Sequence, residues 1–132
     1  MKRTKTRTIA LVSTALLLSA IACVWADDLA IEIVVAPNVL NLQNNGQVVT
    51  VHTDLPYSIV AGASVMLNDV EISWWKSDNQ GNFVAKFNIE DIKGLPLNIG
   101  QYNTLTLTGQ TKDGVHFVGS TEILVVNNVP KK

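Results

Sequence analysis

Few residues in this chain have the types and spacing needed for catalysis or metal binding. His52 and His116 are the two histidines, and neither has another histidine at ligand spacing. A zinc site needs three or four ligands, so we interpret both as solvent-facing strand residues. Ser64 follows Gly62 and Ala63, but the second glycine of a Gly-x-Ser-x-Gly nucleophile elbow is absent. The sequence therefore predicts no enzyme, no metal site and no cofactor.

Side-chain oxygen atoms that calcium could use cluster near predicted turns, at Asp78, Asn79, Asn82 and Asp113. The run from Asp78 to Asn82 lacks the Asp-x-Asp-x-Asp-Gly spacing of an EF-hand loop. Asp and Asn side chains also stabilise turns by accepting hydrogen bonds from nearby backbone amides. Turn geometry is therefore the favoured interpretation, and a calcium site is the alternative.

The adjacent pair Trp74 and Trp75 carries the strongest signal for binding. Neighbouring residues of a strand point to opposite faces, so we expect one indole in the core and the other at the surface. An exposed indole can stack on a sugar ring or anchor a protein partner. Tyr57 and Tyr102, at a predicted loop and a predicted strand start, are further candidates. The predicted binding residues are these four aromatic residues.

The first 26 residues have the layout of a secretory signal peptide. A basic head is followed by an apolar run over residues 9–24, and Val24 and Ala26 stand three and one positions before Asp27. The run is about 16 residues, whereas a membrane-spanning helix needs roughly 20. We therefore predict a cleaved, helical signal peptide over residues 1–26, no transmembrane span, and an exported protein that is extracellular, at the cell surface or periplasmic.

Cys23 allows a second interpretation of the same segment. Residues 20–23 loosely resemble a bacterial lipobox, in which the cysteine is lipidated and becomes the new N-terminus. Lipidation of Cys23 would tether the protein to a membrane. Cleavage after Ala26 would instead remove the only cysteine, so that packing alone would stabilise the fold.

The chain that follows Ala26, residues 27–132, has the length of one domain. It carries six lysines, no arginine and eleven acidic residues, which gives a net charge of −5. Phosphate contact needs clustered lysine or arginine. The composition therefore excludes nucleic acid as a partner.

Alternation of apolar and polar residues dominates this domain. Leu105 and Leu107, for example, lie between threonines, which predicts a strand with one buried and one wet face. Turn signals separate short runs of this kind, and Gly119 is expected to mark a bulge. The pattern predicts an all-β antiparallel sandwich of about seven or eight strands. The first strand is expected at residues 28–35, is broken by Pro37 and resumes at 39–42. Further strands are expected at residues 47–53, 64–67, 70–76, 82–88, 102–109, 115–118 and 121–127, with a loop at 54–62, a helical turn at 89–93, and turns at 44–46, 68–69, 78–81 and 112–114.

The first expected strand, residues 28–35, is apolar on both faces and lies at the N-terminal end of the predicted domain. Edge strands of this kind can pair with another chain. Alternatively the segment caps its own sheet, with Asp27, Asp28 and Glu32 guarding the edge. Both interpretations stay open on the sequence.

Several of these runs resemble a known family. Residues 36–42 with Gly46 resemble an "xPxxLNLxxxG" opening, and residues 81–87 resemble a "GxxVAKF" strand. Residues 105–109, 113–114, 117–120 and 123–126 resemble an "LTVTG…DG…FxGS…IxVI" ending. The chain is similar in these runs to immunoglobulin-like β-sandwich modules of bacterial and archaeal secreted and cell-surface proteins. The resemblance implies an immunoglobulin-like fold, and it brings no catalytic motif with it.

The predicted function is a non-catalytic, exported, immunoglobulin-like module for binding or assembly at the cell surface or in the periplasm. Two alternatives are a carbohydrate-binding module that uses an exposed tryptophan, and a subunit of an extracellular filament formed by strand pairing. The expected partner is a protein or polysaccharide surface, or a second copy that pairs through an edge strand.

Overall fold

The computed structural model describes residues 28–45 and 48–128, so the predicted signal peptide and Cys23 lie outside the described residues. Runs with period-two alternation form strands, because alternate side chains can then be buried on one face. The described elements are β1 Leu29–Ala30, β2 Ile33–Ala36, β3 Val39–Asn41, β4 Val48–Pro56, a 3-10 turn Tyr57–Ile59, β5 Val60–Leu67, β6 Val70–Glu71, β7 Trp74–Ser77, β8 Asn82–Asn88, α1 Ile89–Lys93, β9 Tyr102–Thr111 and β10 His116–Val126.

These strands form two sheets that share one core. The six-stranded sheet has the order β1-β10-β9-β5-β6, with β3 also pairing with β10, and the four-stranded sheet has the order β2-β4-β8-β7. Neighbouring strands are antiparallel, except that β1 and β3 run parallel to β10. The predicted all-β, sandwich-like architecture is confirmed at this level.

The core lies between the two sheets and takes side chains from both. Its large, fully buried members include Phe83 and Phe87 of the four-stranded sheet, and Leu105, Leu107 and Phe117 of the six-stranded sheet. Thr104 and Thr108, which alternate with these leucines, are exposed. The predicted dry and wet faces of this strand are therefore confirmed.

The N-terminal stretch crosses between the sheets. Residues 28–35 were expected to form one strand, but Ile31 still donates its amide to Val118 O (3.0 Å) while Ile33 already pairs with Thr53 in the other sheet. Pro37 directly follows the end of β2, and β3 returns to β10. Alternation survives such a crossing because inward-facing residues stay inward on both layers. The strand break was therefore not visible in the sequence.

Gly119 marks this crossing and not the expected bulge. β9 and β10 pair in continuous register from His116 to Leu124. A Cβ atom on Gly119 would lie 2.7 Å from the carbonyl oxygen of Ile31. The glycine is needed because another stretch of backbone passes directly over it.

In the middle of the chain, the predicted hairpin is confirmed and the predicted loop is wrong. Asn68 and Asp69 have φ of 46° and 70°, which is the backbone of a type I′ turn, and they join β5 to β6. The loop expected at residues 54–62 is wrong, because β4 continues to Pro56 and β5 begins at Val60. Leu55 and Val60 continue the inward pattern and are buried.

The short helix α1 is the predicted helical turn. Asn88 caps it by accepting the Glu90 amide on Oδ1 (2.9 Å), and Gly94 ends it by donating to Asp91 O. Its buried residues Ile89 and Ile92 pack into the core. None of the helices in residues 28–45 and 48–128 has the length and apolar character needed to cross a membrane.

Candidate functional site

The candidate site is β7, the strand that carries both tryptophans. The preceding residues switch sheets within two amides: Ile72 donates to Val65 O (3.2 Å) in β5, and Ser73 donates to Lys86 O (2.8 Å) in β8. Residues 70–76, expected as one strand, therefore divide into β6 and β7. The switch leaves β7 as the last strand of the four-stranded sheet.

Both indoles are at the surface. Trp74 is 47% exposed and Trp75 is 37% exposed. The expectation that one of them packs in the core is wrong, although their opposite facing is as predicted. Trp75 pairs with the buried Ala85 and so faces inward. Because β7 is an edge strand, the Trp75 ring lies at the rim of the sandwich and not between the sheets.

Gly62 provides the surface on which Trp75 rests. A Cβ atom at position 62 would collide with the indole atoms Cε2, Cδ2 and Nε1 of Trp75. Gly62 lies in β5 of the six-stranded sheet, so this contact joins the rims of the two sheets. The backbone covers part of the indole and the remainder stays accessible.

Trp74 lies on the outer face, in a row formed by Ala36, Thr50 and Lys86 of the neighbouring strands. The ammonium of Lys86 is 5.5 Å from the centroid of the Trp74 ring. The same ammonium donates a hydrogen bond to Thr50 Oγ1 (2.9 Å). Because two partners hold the cation in place, Trp74 and Lys86 form a cation–π pair with a defined position.

The backbone of β7 offers hydrogen-bonding groups on its outer edge. Asp78 donates its amide to Asn82 O (2.9 Å), which makes this a hydrogen-bonded pair at the end of the β7–β8 ladder. Hydrogen-bonded and non-hydrogen-bonded pairs alternate along an antiparallel ladder. Trp74 and Lys76 therefore direct their backbone groups toward β8, whereas Trp75 and Ser77 direct theirs away from it.

The β7–β8 turn is held by Asp78. Its Oδ1 accepts hydrogen bonds from the amides of Gln80 (2.8 Å) and Asn82 (2.9 Å), and Gly81 has a φ of 85°. The Asn82 amide is the largest of the influences that lower the pKa of this carboxyl, and the Gln80 amide and the charge of His52 act in the same direction. Asp78 therefore stabilises the turn as an ionised acceptor.

The other oxygen-bearing residues are consistent with turn roles. Asn79 lies in the same turn as Asp78, and Asp113 lies in the separate β9–β10 turn. No group of three or more His, Cys, Asp or Glu side chains in the described part of the chain is placed to hold a metal ion. His52 lies on β4 beside Val34 and Val84, and His116 begins β10 in the other sheet.

The two tyrosines are separated from each other. Tyr57 is 39% exposed, and its ring stacks near Phe83, with centroids 6.3 Å apart. Its amide donates to Gly81 O (2.8 Å), which ties the 3-10 turn to the β7–β8 turn. Tyr102 is 66% exposed and pairs with Leu124 in the six-stranded sheet. The four predicted aromatic residues therefore do not form one platform.

An open groove of about 630 Å³ was not foreseen from the sequence. Its lining includes four acidic residues from two regions, the β5–β6 hairpin and α1: Asp69, Glu71, Glu90 and Asp91. Its acidic residues come from segments about 20 positions apart in the chain. No local motif marks such a groove.

Comparison with known proteins identifies no relative of this chain. No family model matches the chain, and neither the curated proteins nor the solved structures contain a match to it.

Proposed function

We propose that this protein is a non-catalytic, exported, immunoglobulin-like module that binds or assembles at a cell surface or in the periplasm. The observation that carries the proposal is the exposure of β7. This strand presents two indoles, one lysine and outward backbone groups at the edge of an otherwise well-packed sandwich. Exposed aromatic side chains at a strand edge are typical of recognition surfaces.

The strand order supports the immunoglobulin-like part of the proposal. Immunoglobulin sandwiches pair strands A, B, E and D in one sheet and place G, F and C in the other. Reading β2, β4, β8 and β7 as A, B, E and D, and β10, β9 and β5 as G, F and C, reproduces both orders. The motif resemblance in residues 36–42 and 81–87 points to the same family.

Export is proposed from the basic head and apolar run of residues 1–26. The intact mass of the protein purified from its native source tests this part. We expect a chain that begins at Asp27, and an acylated chain that begins at Cys23 would support the lipoprotein alternative. A mass that includes Met1 would contradict export by a cleaved leader.

Surface binding is tested with fluorescently labelled protein added to cells of the source organism. We expect Trp74→Ala and Trp75→Ala to reduce the retained fluorescence at least about threefold, as the loss of an anchor residue does. Tyr102→Ala is the matched control, because it removes an exposed ring from the other sheet. Equal retention of all three variants and the wild type would count against β7 as the binding surface.

Carbohydrate binding is the second candidate, and the setting of Trp74 favours it. The ring is exposed, and Thr50 and Lys86 place a hydroxyl and an ammonium beside it. Affinity electrophoresis in a panel of neutral and acidic polysaccharides tests this. We expect retardation that Trp74→Ala abolishes and Tyr102→Ala preserves. Absence of retardation in every polysaccharide would remove this candidate.

A further inference from the structure

The free edge of β7 has the properties of a pairing site for another strand. Within residues 28–45 and 48–128, β7 pairs with β8 alone. All four of its residues are exposed, and the strand contains no proline. The outward amide and carbonyl groups of Trp75 and Ser77 have the spacing of a hydrogen-bonding edge, and such edges pair readily with extended backbone.

We infer that β7 pairs with β7 of a second copy of this chain, antiparallel and about a two-fold axis at Trp75. This inference rests on the proposed binding or assembly function and names the partner. The two four-stranded sheets then join into one continuous sheet. The interface is isologous, because the same surface is used by both copies.

The side chains complement each other in this register. Trp75 stands opposite Trp75 of the second copy, and the two backbones exchange a pair of N–H···O bonds. Trp74 stands opposite Lys76 of the second copy on the outer face, since both residues alternate with Trp75. The Lys76 ammonium of each copy thus meets the Trp74 indole of the other copy, and two cation–π contacts form across the axis. Within each copy, the Trp74 ring already lies 5.5 Å from the Lys86 ammonium.

Neighbouring registers are disfavoured by specific residues. A register centred on Lys76 places the two lysines directly opposite each other, and like charges in that position are destabilising. A register centred on Trp74 pairs Trp75 with Ser73 of the second copy, whose amide is already donated to Lys86 O (2.8 Å). The register centred on Trp75 keeps its central pair of backbone hydrogen bonds without that amide. A register centred on Ser77 brings the bent turn over residues 78–81 against the strand. Lys76 therefore opposes unspecific pairing and favours one alignment.

Sedimentation of the full chain between roughly 10 µM and 1 mM tests the association, since a short edge interface is expected to be weak. We expect a monomer–dimer equilibrium. Trp74→Leu should weaken the dimer about tenfold or more, because it removes the ring from both cation–π contacts and leaves Lys76 in place. Tyr102→Leu is the matched control, because it removes an exposed ring from the other sheet, and it should change the dissociation constant less than about threefold.

Cysteine cross-linking tests the register. In the full chain carrying Cys23→Ser, a single introduced thiol is the only one present. Opposed Trp75 Cα atoms are expected about 5.5 Å apart, within disulfide range, whereas opposed Ser77 Cα atoms are roughly 13 Å apart. We expect Trp75→Cys to give a disulfide-linked dimer under mild oxidation, and Ser77→Cys to remain reduced.

The outcomes separate this inference from the function on which it rests. A wild-type chain that stays monomeric to about 1 mM, or a Ser77→Cys variant that cross-links as fast as Trp75→Cys, overturns the inference. If Trp74→Ala and Trp75→Ala still lower retention on cells, the proposed binding function stands without self-pairing. If the dimer forms but neither variant changes retention, the self-pairing inference stands and the surface-binding proposal fails.

Discussion

At the scale of single residues, Gly62 and Gly109 each lie so close to an aromatic ring that an added Cβ atom would collide with it. We expect substitution to have different consequences at the two positions. A Cβ atom on Gly109 would lie 2.5 Å from Phe117 Cζ in the core, where neighbouring side chains cannot move away. Trp75 beside Gly62 lies at an edge and can swing outward. We expect Gly109→Ala to cost about 1–3 kcal/mol of unfolding free energy.

For Gly62→Ala we predict a change in both stability and tryptophan fluorescence. We expect a loss of about 1 kcal/mol or less, with a red shift of tryptophan emission because the indole of Trp75 becomes more solvated. Gly94→Ala serves as the control, since its Cβ atom would meet Asp91 O at an ordinary 3.4 Å. Urea midpoints and emission maxima measure both effects. An unchanged spectrum in Gly62→Ala would contradict the packing of Trp75 on this glycine.

Asp78 makes the stability of the β7–β8 turn depend on pH. Its folded-state pKa is lowered below the ordinary value of 3.8 by the amides of Asn82 and Gln80. The stabilisation is therefore present above the unfolded pKa and is lost as the pH falls through the folded pKa. We expect Asp78→Asn to be less stable than the wild type at pH 7, with the difference narrowing as the pH falls to about 2.

Chemical denaturation at a series of pH values measures this difference. Asp113→Asn is the matched control, because it removes a carboxylate from the separate β9–β10 turn. A difference between the wild type and Asp78→Asn that stays constant from pH 7 to about pH 2 would rule out a charged acceptor in this turn.

At the scale of elements, Thr53 joins β4 to β8 where their register shifts. Its hydroxyl donates to Phe83 O (2.7 Å) and accepts the Leu55 amide (3.2 Å), and the residue is buried. Thr53→Val leaves both backbone groups without this partner. We expect a loss of about 1–3 kcal/mol, whereas Thr53→Ser should retain most of the stability.

Thermal or urea unfolding measures this loss. Thr104→Val tests the same chemical change on the exposed face of β9 and should shift stability by less than about 0.5 kcal/mol. Equal effects at the two threonines would mean that the buried hydroxyl does not hold the shifted register.

Local sequence patterns predicted the elements that do not switch from one sheet to the other. The strand at residues 82–88, the turn at Lys112–Gly114 and α1 were all foreseen, because alternation, turn residues and caps act within a few positions. The sheet switches at residues 31–33 and 72–73 were missed. A crossing between layers keeps apolar residues inward, so the period-two pattern continues through it without a signal.

The candidate site was predicted in its residues and not in its setting. Trp74 and Trp75 were singled out from their type and adjacency. Their exposure depends on β7 being an edge strand, which is decided by pairing partners distant in sequence. Lys86 and Gly62 were missed for the same reason, since the register that brings them to the indoles is a property of the assembled sheets.

At the scale of the whole molecule, the two sheets should unfold as one unit. Along the described elements, the chain passes between the sheets six times, at β1–β2, β2–β3, β3–β4, β4–β5, β6–β7 and β8–β9. The core draws Phe87 from one sheet and Phe117 from the other. Neither sheet can bury its apolar face without the other. Both tryptophans in the described residues lie on β7, so their fluorescence reports the four-stranded sheet, whereas far-ultraviolet dichroism reports both.

We therefore expect the fluorescence and dichroism transitions in urea to superimpose, in the wild type and in Phe87→Ala alike. Phe87 is fully buried, so its truncation should lower the unfolding free energy by about 3–5 kcal/mol and shift both transitions together. If Phe87→Ala moved the fluorescence transition to lower urea and left a later dichroism transition in place, the six-stranded sheet would be stable alone. A core shared by both sheets forbids that result, because removing the inner face of one layer exposes the inner face of the other.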